Sequence, residues 1–596
     1  MADPFLPLAV HSGFSLMRGV TRTGDLVRAA KALGYTRLAL TDRDNLYALP
    51  EFLKYCAREG VEPLIGAELT EPPPDPDAAI TAVTDKTPGV LDPAPARVIC
   101  LVENAEGYAN LCRLISLRHQ PADFRAAGGL VNALATHRIG LTVLVDDPLR
   151  LEQLHARAVT VAALQPIRPQ GAFVPLTRAA RRLNLPLVAA PDSYFLRPAD
   201  HATHQILRAI GLNTVLSRLP AHEVAPADAW LAPPAEYARR FAVLPEAIAA
   251  TQAIGERCAF RGPDRATIFP AWRDPQGRSA AAALRADAYA GARWRYAVAG
   301  GDDLPEAVVD RLEHELRCIE GKGFSDYFLY VKDIVRRSPR ICGRGSGAAS
   351  IVAYCLGITN VCPIKFNLYF ERFLNPQRID PPDIDVDFAW DERDGVQAEV
   401  LAAWPGQVAM VCNHVLFQPR MAVREVAKVF GLPALEIDRV TERLPWYWRQ
   451  EETAALAAET APGAEGENGE SLQAALAKLP EMRQVSFPPP WPEILRVARS
   501  ILGLPRHLSV HSGGVVITPR PVREYVPIET AAKGVPIIHW EKDGTEDMGL
   551  VKIDLLGNRS LAVIRDAIAN LRRNGESFDE LHWQPEDDPA TQALVA

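Results

Sequence analysis

The first 260 or so residues alternate short apolar runs with longer segments of helical periodicity. Residues 37–42 form one such run, after the helical pattern of residues 25–33. Similar runs recur at residues 63–68, 98–102 and 185–190, and polar residues recur where the runs end. Short apolar runs between helical patterns predict parallel strands with crossover helices. We therefore expect an α/β barrel or doubly wound sheet, with a site in the loops at the carboxyl ends of the strands.

After residue 260 the regular alternation of apolar runs and helical patterns ends. A boundary rich in Gly, Pro and charge covers residues 261–278, and a helical pattern follows at residues 302–321. Residues 432–501 are mostly helical in pattern; within them, residues 451–472 carry six Glu and no basic residue, which predicts a disordered or weakly helical insertion. Strand patterns return at residues 511–519 and 549–556.

Composition narrows the class of protein. A chain of 596 residues should hold about three or four domains. No run approaches 18 apolar residues and the N-terminus lacks a signal-peptide pattern, so we expect a cytoplasmic protein without a membrane partner. The nine cysteines form no CxxC pair, which argues against a zinc ribbon. The net charge of −8 gives no global case for nucleic-acid binding, but residues 321–378 carry nine Lys or Arg against three Asp or Glu.

Three carboxylates at alternate positions mark the most informative segment, residues 382–388. In a strand, Asp383, Asp385 and Asp387 would share one face, because side chains at i, i+2 and i+4 leave the same side. Carboxylates so close together repel unless a cation lies between them. One interpretation is a Mg²⁺ site for phosphoryl chemistry. The alternative is a solvated edge strand whose charges prevent aggregation.

A glycine-rich turn precedes a predicted helix at residues 348–356. Glycines at 343 and 345 would let backbone N–H groups approach a phosphate, and Arg344 and Ser346 could add a guanidinium clamp and a hydroxyl donor. Turns of this composition also cap helices without binding any ligand, and that structural interpretation stays open.

A further carboxylate, Asp554, lies in the apolar segment 549–557. A buried carboxylate requires a partner, and Lys552 shares its strand parity and would point the same way. The pair predicts either a functional site or a purely structural buried Lys–Asp contact.

Five separated motifs resemble those of the bacterial C-family DNA polymerases, the α subunits of DNA polymerase III. They are, in order, GRGSGAASIVAYCLGIT, FERFLNP, PPDIDVDF, HSGGVVI and GLVKIDLLG. The segments RHLSVHSGGVVI and WEKDGTEDMGLVKIDLLGNRSLAVI are similar to those of the error-prone paralogues used in damage tolerance. The resemblance covers essentially the whole chain.

The resemblance implies a DNA-directed DNA polymerase that joins deoxynucleoside triphosphates to a primer on template DNA. Two Mg²⁺ ions would be bound by Asp385, Asp387 and Asp554, and Asp383 would not be a ligand. The turn formed by Gly343, Arg344, Gly345 and Ser346 would handle the incoming triphosphate, and Lys552 would stabilise developing charge.

The resemblance also implies a multidomain fold of α/β and α+β type. It would consist of a PHP-type (polymerase and histidinol phosphatase) α/β barrel at 1–262, a first part of a polymerase-β-like palm at 275–431, a helical thumb at 432–504 with the acidic insertion 451–472, a second part of the palm at 505–565, and the start of a fingers domain at 566–596.

The chain departs from the family pattern in two ways, and the first concerns the metal ligands of the PHP domain. His11, Glu68 and Asp192 stand at PHP metal-ligand positions, but other expected ligands are replaced, by Ala9, Arg43, Arg97 and Tyr194. Because Arg cannot ligate a cation, we expect no metal cluster and no proofreading nuclease there, and a scaffold role instead.

The second departure is length, since the chain stops at Ala596 where the fingers would begin. Activity of the chain by itself is therefore in doubt, and a C-terminal polymerase portion and a sliding clamp are expected partners. Two alternatives remain: a PHP-type phosphoesterase or 3′–5′ exonuclease, and a non-catalytic polymerase assembly subunit.

Overall fold

The computed structural model describes residues 5–72, 96–165, 174–296, 303–375, 377, 382, 384–444, 487–578 and 588–595. Its strands are β1 Arg37–Leu40, β2 Glu62–Thr70, β3 Arg97–Val102, β4 Leu141–Val145, β5 Thr160–Gln165, β6 Leu187–Ala189, β7 Ile341–Arg344, β8 Asp385–Ala389, β9 Val408–Leu416, β10 Pro505–Ile517, β11 Ile528–Thr530, β12 Pro536–Ile538 and β13 Lys552–Asn558.

Its α-helices are α1 Thr23–Ala32, α2 Leu49–Glu59, α3 Ala105–Arg118, α4 Pro121–Ala126, α5 Gly129–Thr136, α6 Pro148–His155, α7 Val174–Arg182, α8 His201–Gly211, α9 Pro234–Arg240, α10 Pro245–Arg257, α11 Ala280–Tyr296, α12 Glu306–Gly321, α13 Ser325–Val335, α14 Ile351–Cys355, α15 Arg393–Ala403, α16 Pro419–Val429, α17 Ala434–Thr441, α18 Trp491–Ile501, α19 Lys542–Asp547, α20 Arg559–Arg573 and α21 Pro589–Val595. Among the described helices, none combines the length and apolar character needed to cross a bilayer.

The chain forms two compact units, each assembled from separate stretches of sequence. The first unit comprises Met1–Ala266, Ala409–His511 and Arg520–Leu550, and the second comprises Thr267–Val408, Ser512–Pro519 and Val551–Ala596. The predicted palm boundaries remain predictions. Residues 409–431 and 520–550, which the sequence placed in the palm, group with the first unit.

A six-stranded sheet in the order β1 to β6 forms the centre of the first unit. The pairs β1–β2, β4–β5 and β5–β6 are parallel, whereas β3 is antiparallel to both of its neighbours. An extended segment near residues 7–11 bonds to both ends of the sheet: Pro7 and Val10 carbonyls accept from β1 and its extension, and His11 N donates to Ser193 O at 2.9 Å. The α/β class predicted from the apolar runs is therefore present in this unit, but the expectation of parallel strands is wrong for β3, which is antiparallel to both of its neighbours.

The strands of this sheet read as continuous apolar runs because both of their faces are covered. All five residues of β4 are buried. A core of buried side chains lies on the inner face of the sheet and against α10; its members are Leu6, Leu8, Ala9, Ala39, Leu64, Ile99, Leu101, Leu144, Ala162, Leu164, Val188, Ala190, Ile254 and Cys258.

A second core of the first unit is helical. Helices α8, α16, α17 and α18 contribute to one cluster of buried apolar residues. Its largest member, Trp491, donates its indole N–H to Glu436 Oε1 at 3.0 Å, which satisfies the polar atom of a buried ring. The helical pattern predicted for residues 432–501 thus appears at both of its ends. The acidic insertion, residues 451–472, lies outside the described residues.

The second unit contains a sheet with the order β10–β13–β8–β7, to which β10 contributes residues 514–516. Strand β8 pairs parallel with β13 on one side and antiparallel with β7 on the other. Helix α15 packs against β13, and α20 packs against β8. The sequence left open that the aspartate segment is an edge strand, and that alternative is wrong because β8 has a partner on each side.

Candidate metal and phosphate site

Three aspartates predicted as metal ligands lie on neighbouring strands of the second unit. Asp385 and Asp387 occupy alternate positions of β8, and Asp554 of β13 is the register partner of Asp385. Alternate positions of one strand share a face, and residues in register on a parallel neighbour share it too. The sheet therefore brings together carboxylates that are about 170 positions apart in the chain. Asp383 lies outside the described residues.

Two basic side chains neutralise these carboxylates. Arg344 of β7 is the register partner of Asp385, and its Nε lies 3.8 Å from Asp385 Oδ2 and 3.6 Å from Asp387 Oδ1. Lys552 donates to Asp554 Oδ2 at 2.7 Å, and both side chains are largely buried. The structural Lys–Asp contact that the sequence allowed is thus present, on the same sheet face as the other two acids.

Asn558 is a member of the site that the sequence analysis missed. It lies on β13 and donates from its amide nitrogen to Asp387 Oδ2 at 2.9 Å. Alternation along the strand could have indicated Asn558, because positions 554, 556 and 558 of one strand share a face. Cys342 of β7 is the register partner of Asp387, and burial, with Asp387 adding to it, raises the pKa of the Cys342 thiol.

The glycine-rich turn follows β7 directly. Arg344 ends the strand with extended backbone, and Gly345 has φ of +68° and begins a 3₁₀-helix, Gly345–Ala349, which includes Ser346. The single helix predicted at 348–356 is instead split into this 3₁₀-helix and α14. The split occurs because Ser350 is extended and caps α14, its hydroxyl accepting from Ala353 N while it donates to buried Glu315 at 2.7 Å.

Gly345 needs the left-handed backbone region, so we expect Gly345→Ala to lower the free energy of unfolding by about 1 kcal/mol. A Cβ there would lie 3.9 Å from Asp385 Oδ2, an ordinary contact, so the expected loss comes from the backbone alone. The matched control is Gly395→Ala in α15, where φ is not positive and no atom lies within 4 Å of the added Cβ. The free energy of unfolding of that variant should rise by about 0.5 kcal/mol. Urea unfolding of both variants measures the difference. Equal changes in the free energy of unfolding would contradict the requirement for left-handed backbone at Gly345.

The three carboxylates offer oxygen donors, which suit hard divalent cations. Among the described residues, the aspartates are not one of the groups whose ligand atoms all lie within 4.8 Å of one another.

A separate cluster lies at the predicted PHP site in the first unit. His11 Nε2 is 3.8 Å from Glu68 Oε2 and 3.8 Å from Asp192 Oδ1, so the surviving ligand-type residues are together. The guanidinium of Arg97 is inserted among them. It donates to Glu68 at 2.9 Å, to both oxygens of Asp192 at 3.1 and 2.9 Å, and to Asp146 at 3.0 Å.

The charge of Arg97 dominates the electrostatics of this cluster. Burial would raise the pKa values of Glu68 and Asp192, but Arg97, followed by His11, holds both below their usual range. Arg43 adds a second positive charge, with Nη1 3.3 Å from Glu68 Oε1. Asp146 was missed by the sequence analysis, which did not predict β4, the strand that Asp146 directly follows.

Comparison with known proteins finds two matched regions of the chain. A model described as "Bacterial DNA polymerase III alpha NTPase domain" matches residues 282–557, and a model described as "PHP domain" matches residues 7–149. Two regions of the chain are therefore similar to the bacterial DNA polymerase III alpha family and to the PHP family. The resemblance inferred from the five motifs is thereby confirmed, and so is the PHP domain.

Several curated relatives are similar over nearly the whole chain. An error-prone DNA polymerase of Symbiobacterium thermophilum is 32% identical over 638 residues, covering 99% of this chain and 54% of the relative. The DNA polymerase III subunit alpha of Bacillus subtilis is 30% identical, covering 99% of this chain and 52% of the relative. The chain thus spans about half the length of these relatives. A solved amidohydrolase from Chromobacterium violaceum is 15% identical with a TM-score of 0.21, too low to bear on the fold.

Proposed function

We propose that the chain is the PHP and palm portion of a DNA-directed DNA polymerase that extends a primer with deoxynucleotides, using two Mg²⁺ ions. The observation that carries this proposal is the register of Asp554 with Asp385, beside Arg344 on the opposite neighbour of β8. Three acids on one sheet face next to an exposed arginine turn suit a reaction in which phosphates and cations meet. The assignments of a polymerase-β-like palm and a helical thumb belong to this proposal.

Each residue of the site has a role in the proposed reaction. Asp385, Asp387 and Asp554 would hold the two cations, which would help to deprotonate the primer 3′-hydroxyl and neutralise the triphosphate. Arg344 is about half exposed and can leave its two aspartates to bind a phosphate through its guanidinium fork. Lys552 is nearly buried beside Asp554 and keeps a fixed positive charge on this face. Asn558 orients Asp387.

The proposed substrates are primer–template DNA and deoxynucleoside triphosphates. Several of the similar proteins bear the name error-prone DNA polymerase, which favours that subgroup. The basic segment 321–378 supplies the positive charge that a DNA backbone requires. A C-terminal polymerase portion and a sliding clamp are further partners in this proposal.

Single-nucleotide incorporation tests the proposal. The chain is assayed on a primer–template with Mg²⁺, both alone and joined to the C-terminal half of the Symbiobacterium relative. We expect incorporation by the joined protein, complete loss with a chelator, and recovery on adding Mg²⁺. A folded, DNA-binding joined protein without any incorporation would contradict the proposal, and would favour the non-catalytic assembly subunit.

A PHP-type hydrolase is the competing candidate, and the position of Arg97 disfavours it. The guanidinium bonds to Glu68, Asp192 and Asp146, so it takes the carboxylate oxygens that metal ions would need. We expect no release of mononucleotides from single-stranded DNA with Mn²⁺. Release that disappears in Glu68→Gln would establish an active PHP site.

A further inference from the structure

A third group of potential metal ligands lies in the first unit and shares no residue with the two sites above. His119 follows α3, Glu529 lies on β11, and His539 follows β12. One ligand atom from each residue lies within 4.8 Å of the other two. The segments that carry them are about 400 positions apart in sequence and belong to the same compact unit.

The hydrogen bonds of His119 fix which of its nitrogens carries a proton. Its Nε2 lies 2.7 Å from the carbonyl oxygen of Asp44, which can only accept, so Nε2 donates. Its Nδ1 lies 3.2 Å from Glu529 Oε2. A neutral His119 ring would therefore direct a lone pair at a carboxylate, a contact that either a proton on Nδ1 or a bound metal ion would make attractive.

The contact to Asp44 is also the arrangement that metal-binding histidines commonly show. Such a ring donates its second N–H to a carbonyl or carboxylate, which fixes its orientation. Glu529 is oriented in the same way, because the hydroxyl of Tyr47 donates to Glu529 Oε2 at 3.1 Å.

His539 supplies the second, independent observation. Its side chain is fully buried, and its Nε2 has no hydrogen-bond partner within the described part of the chain. Leu46 N donates to its Nδ1 at 3.3 Å, longer than a typical hydrogen bond, and metal binding through Nε2 would require the ring proton to lie on Nδ1 instead.

We propose that His119, Glu529 and His539 bind a divalent transition metal, with zinc the best fit to the ligand set. Two imidazoles and one carboxylate with a fourth position left open is a known zinc arrangement. The 3.2 Å separation of His119 Nδ1 and Glu529 Oε2 matches the ~3.3 Å ligand–ligand edge of a tetrahedral site with bonds of ~2.0–2.1 Å. The ion would fasten the segment after α3 to strands β11 and β12.

Zinc binding by the whole chain tests this proposal. The chain is stripped with a chelator, then titrated with Zn²⁺ against a chromophoric zinc indicator, with Mg²⁺ in large excess to occupy the aspartates of β8 and β13. We expect one tightly bound zinc per chain. Cobalt substitution should give the visible absorption bands of a site with four ligands.

Two variants and a control make the test specific to this site. Glu529→Gln keeps the shape of the side chain and an oxygen for Tyr47, and it should weaken zinc binding more than about 100-fold. His119→Gln, at a less buried position, should do the same. The control is Glu524→Gln in the same segment, which removes a carboxylate paired with Arg113 and Arg520 and should leave zinc affinity unchanged.

The opposite results are equally clear. The proposal is overturned if the parent chain binds no zinc under these conditions. It is also overturned if zinc binding survives in folded Glu529→Gln and disappears in Glu68→Gln, because the ion would then lie in the PHP cluster. Circular dichroism of each variant distinguishes loss of a ligand from loss of the fold. None of these measurements depends on polymerase activity.

Discussion

Replacing Asp387 with Asn should lower the rate of nucleotide incorporation by at least about 10³-fold, equivalent to roughly 4 kcal/mol of transition-state stabilisation. Asp387 is the most buried of the three acids, and its carboxylate lies opposite Arg344 on one side and Asn558 on the other. An amide has the same shape and can still accept from Asn558, so the sheet should remain intact. What is lost is the negative charge that would bind a cation.

The comparison variant is Asp391→Asn, four positions further along the same segment. Asp391 is exposed and pairs with Arg565 at 2.7 Å, away from the three acids in register. Its incorporation rate should stay within about twofold of the parent, in line with the small contributions of exposed ion pairs. The measurement is single-turnover incorporation by the joined protein described above. Equal rates for Asp387→Asn and Asp391→Asn would remove Asp387 from the proposed metal site.

Replacing Arg97 with Met should destabilise the first unit by about 3–5 kcal/mol, because it leaves buried carboxylates without their cation. Glu68 is completely buried, and Asp192 and Asp146 are mostly so. Met has a similar length, so the loss reflects charge and hydrogen bonds more than an emptied volume. Urea unfolding followed by circular dichroism measures the change.

The control is Arg181→Met on α7, whose contact with Glu246 is at the surface and should contribute less than about 1 kcal/mol. The difference between the parent and Arg97→Met should also depend on pH. The folded-state pKa values of Glu68 and Asp192 lie below their unfolded-state values of ~4.3 and ~3.9. The ion pairs therefore stabilise the fold fully above these pH values, and this stabilisation is lost as the pH falls below them. If the free energies of unfolding of the parent and Arg97→Met differed equally at pH 7 and pH 3, the ion-pair explanation would be wrong.

Local pattern was enough to predict much of the fold. The apolar runs at residues 37–42 and 98–102 correspond to β1 and β3, and the aspartate segment corresponds to β8. These predictions succeed because a strand with both faces covered must be apolar at every position, and because alternation fixes which side chains share a face. The replacement of a PHP ligand by Arg97 was also visible in the sequence.

Contacts between distant segments were not predictable in this way. Nothing in the local pattern of residues 520–550 indicates that they pack in one unit with the N-terminal domain, and the joining of His119 to Glu529 follows only from that packing. The register of β13 with β8 is also a property of the assembled sheet. Local pattern indicated that Asp554 and Lys552 share a strand face, but only the family resemblance connected Asp554 to Asp385 and Asp387.

The position of β13 so late in the chain has a consequence for synthesis on the ribosome. A ribosome that has passed Asp387 must add more than 160 residues before Asp554 is made, which takes roughly 8–33 s at bacterial elongation rates of about 5–20 residues per second. During that interval β8 in the nascent chain lacks its neighbour on that side. Charged side chains discourage an open strand from pairing with another chain. The same aspartates that later suit cation binding would thus protect the unfinished sheet from association between nascent chains.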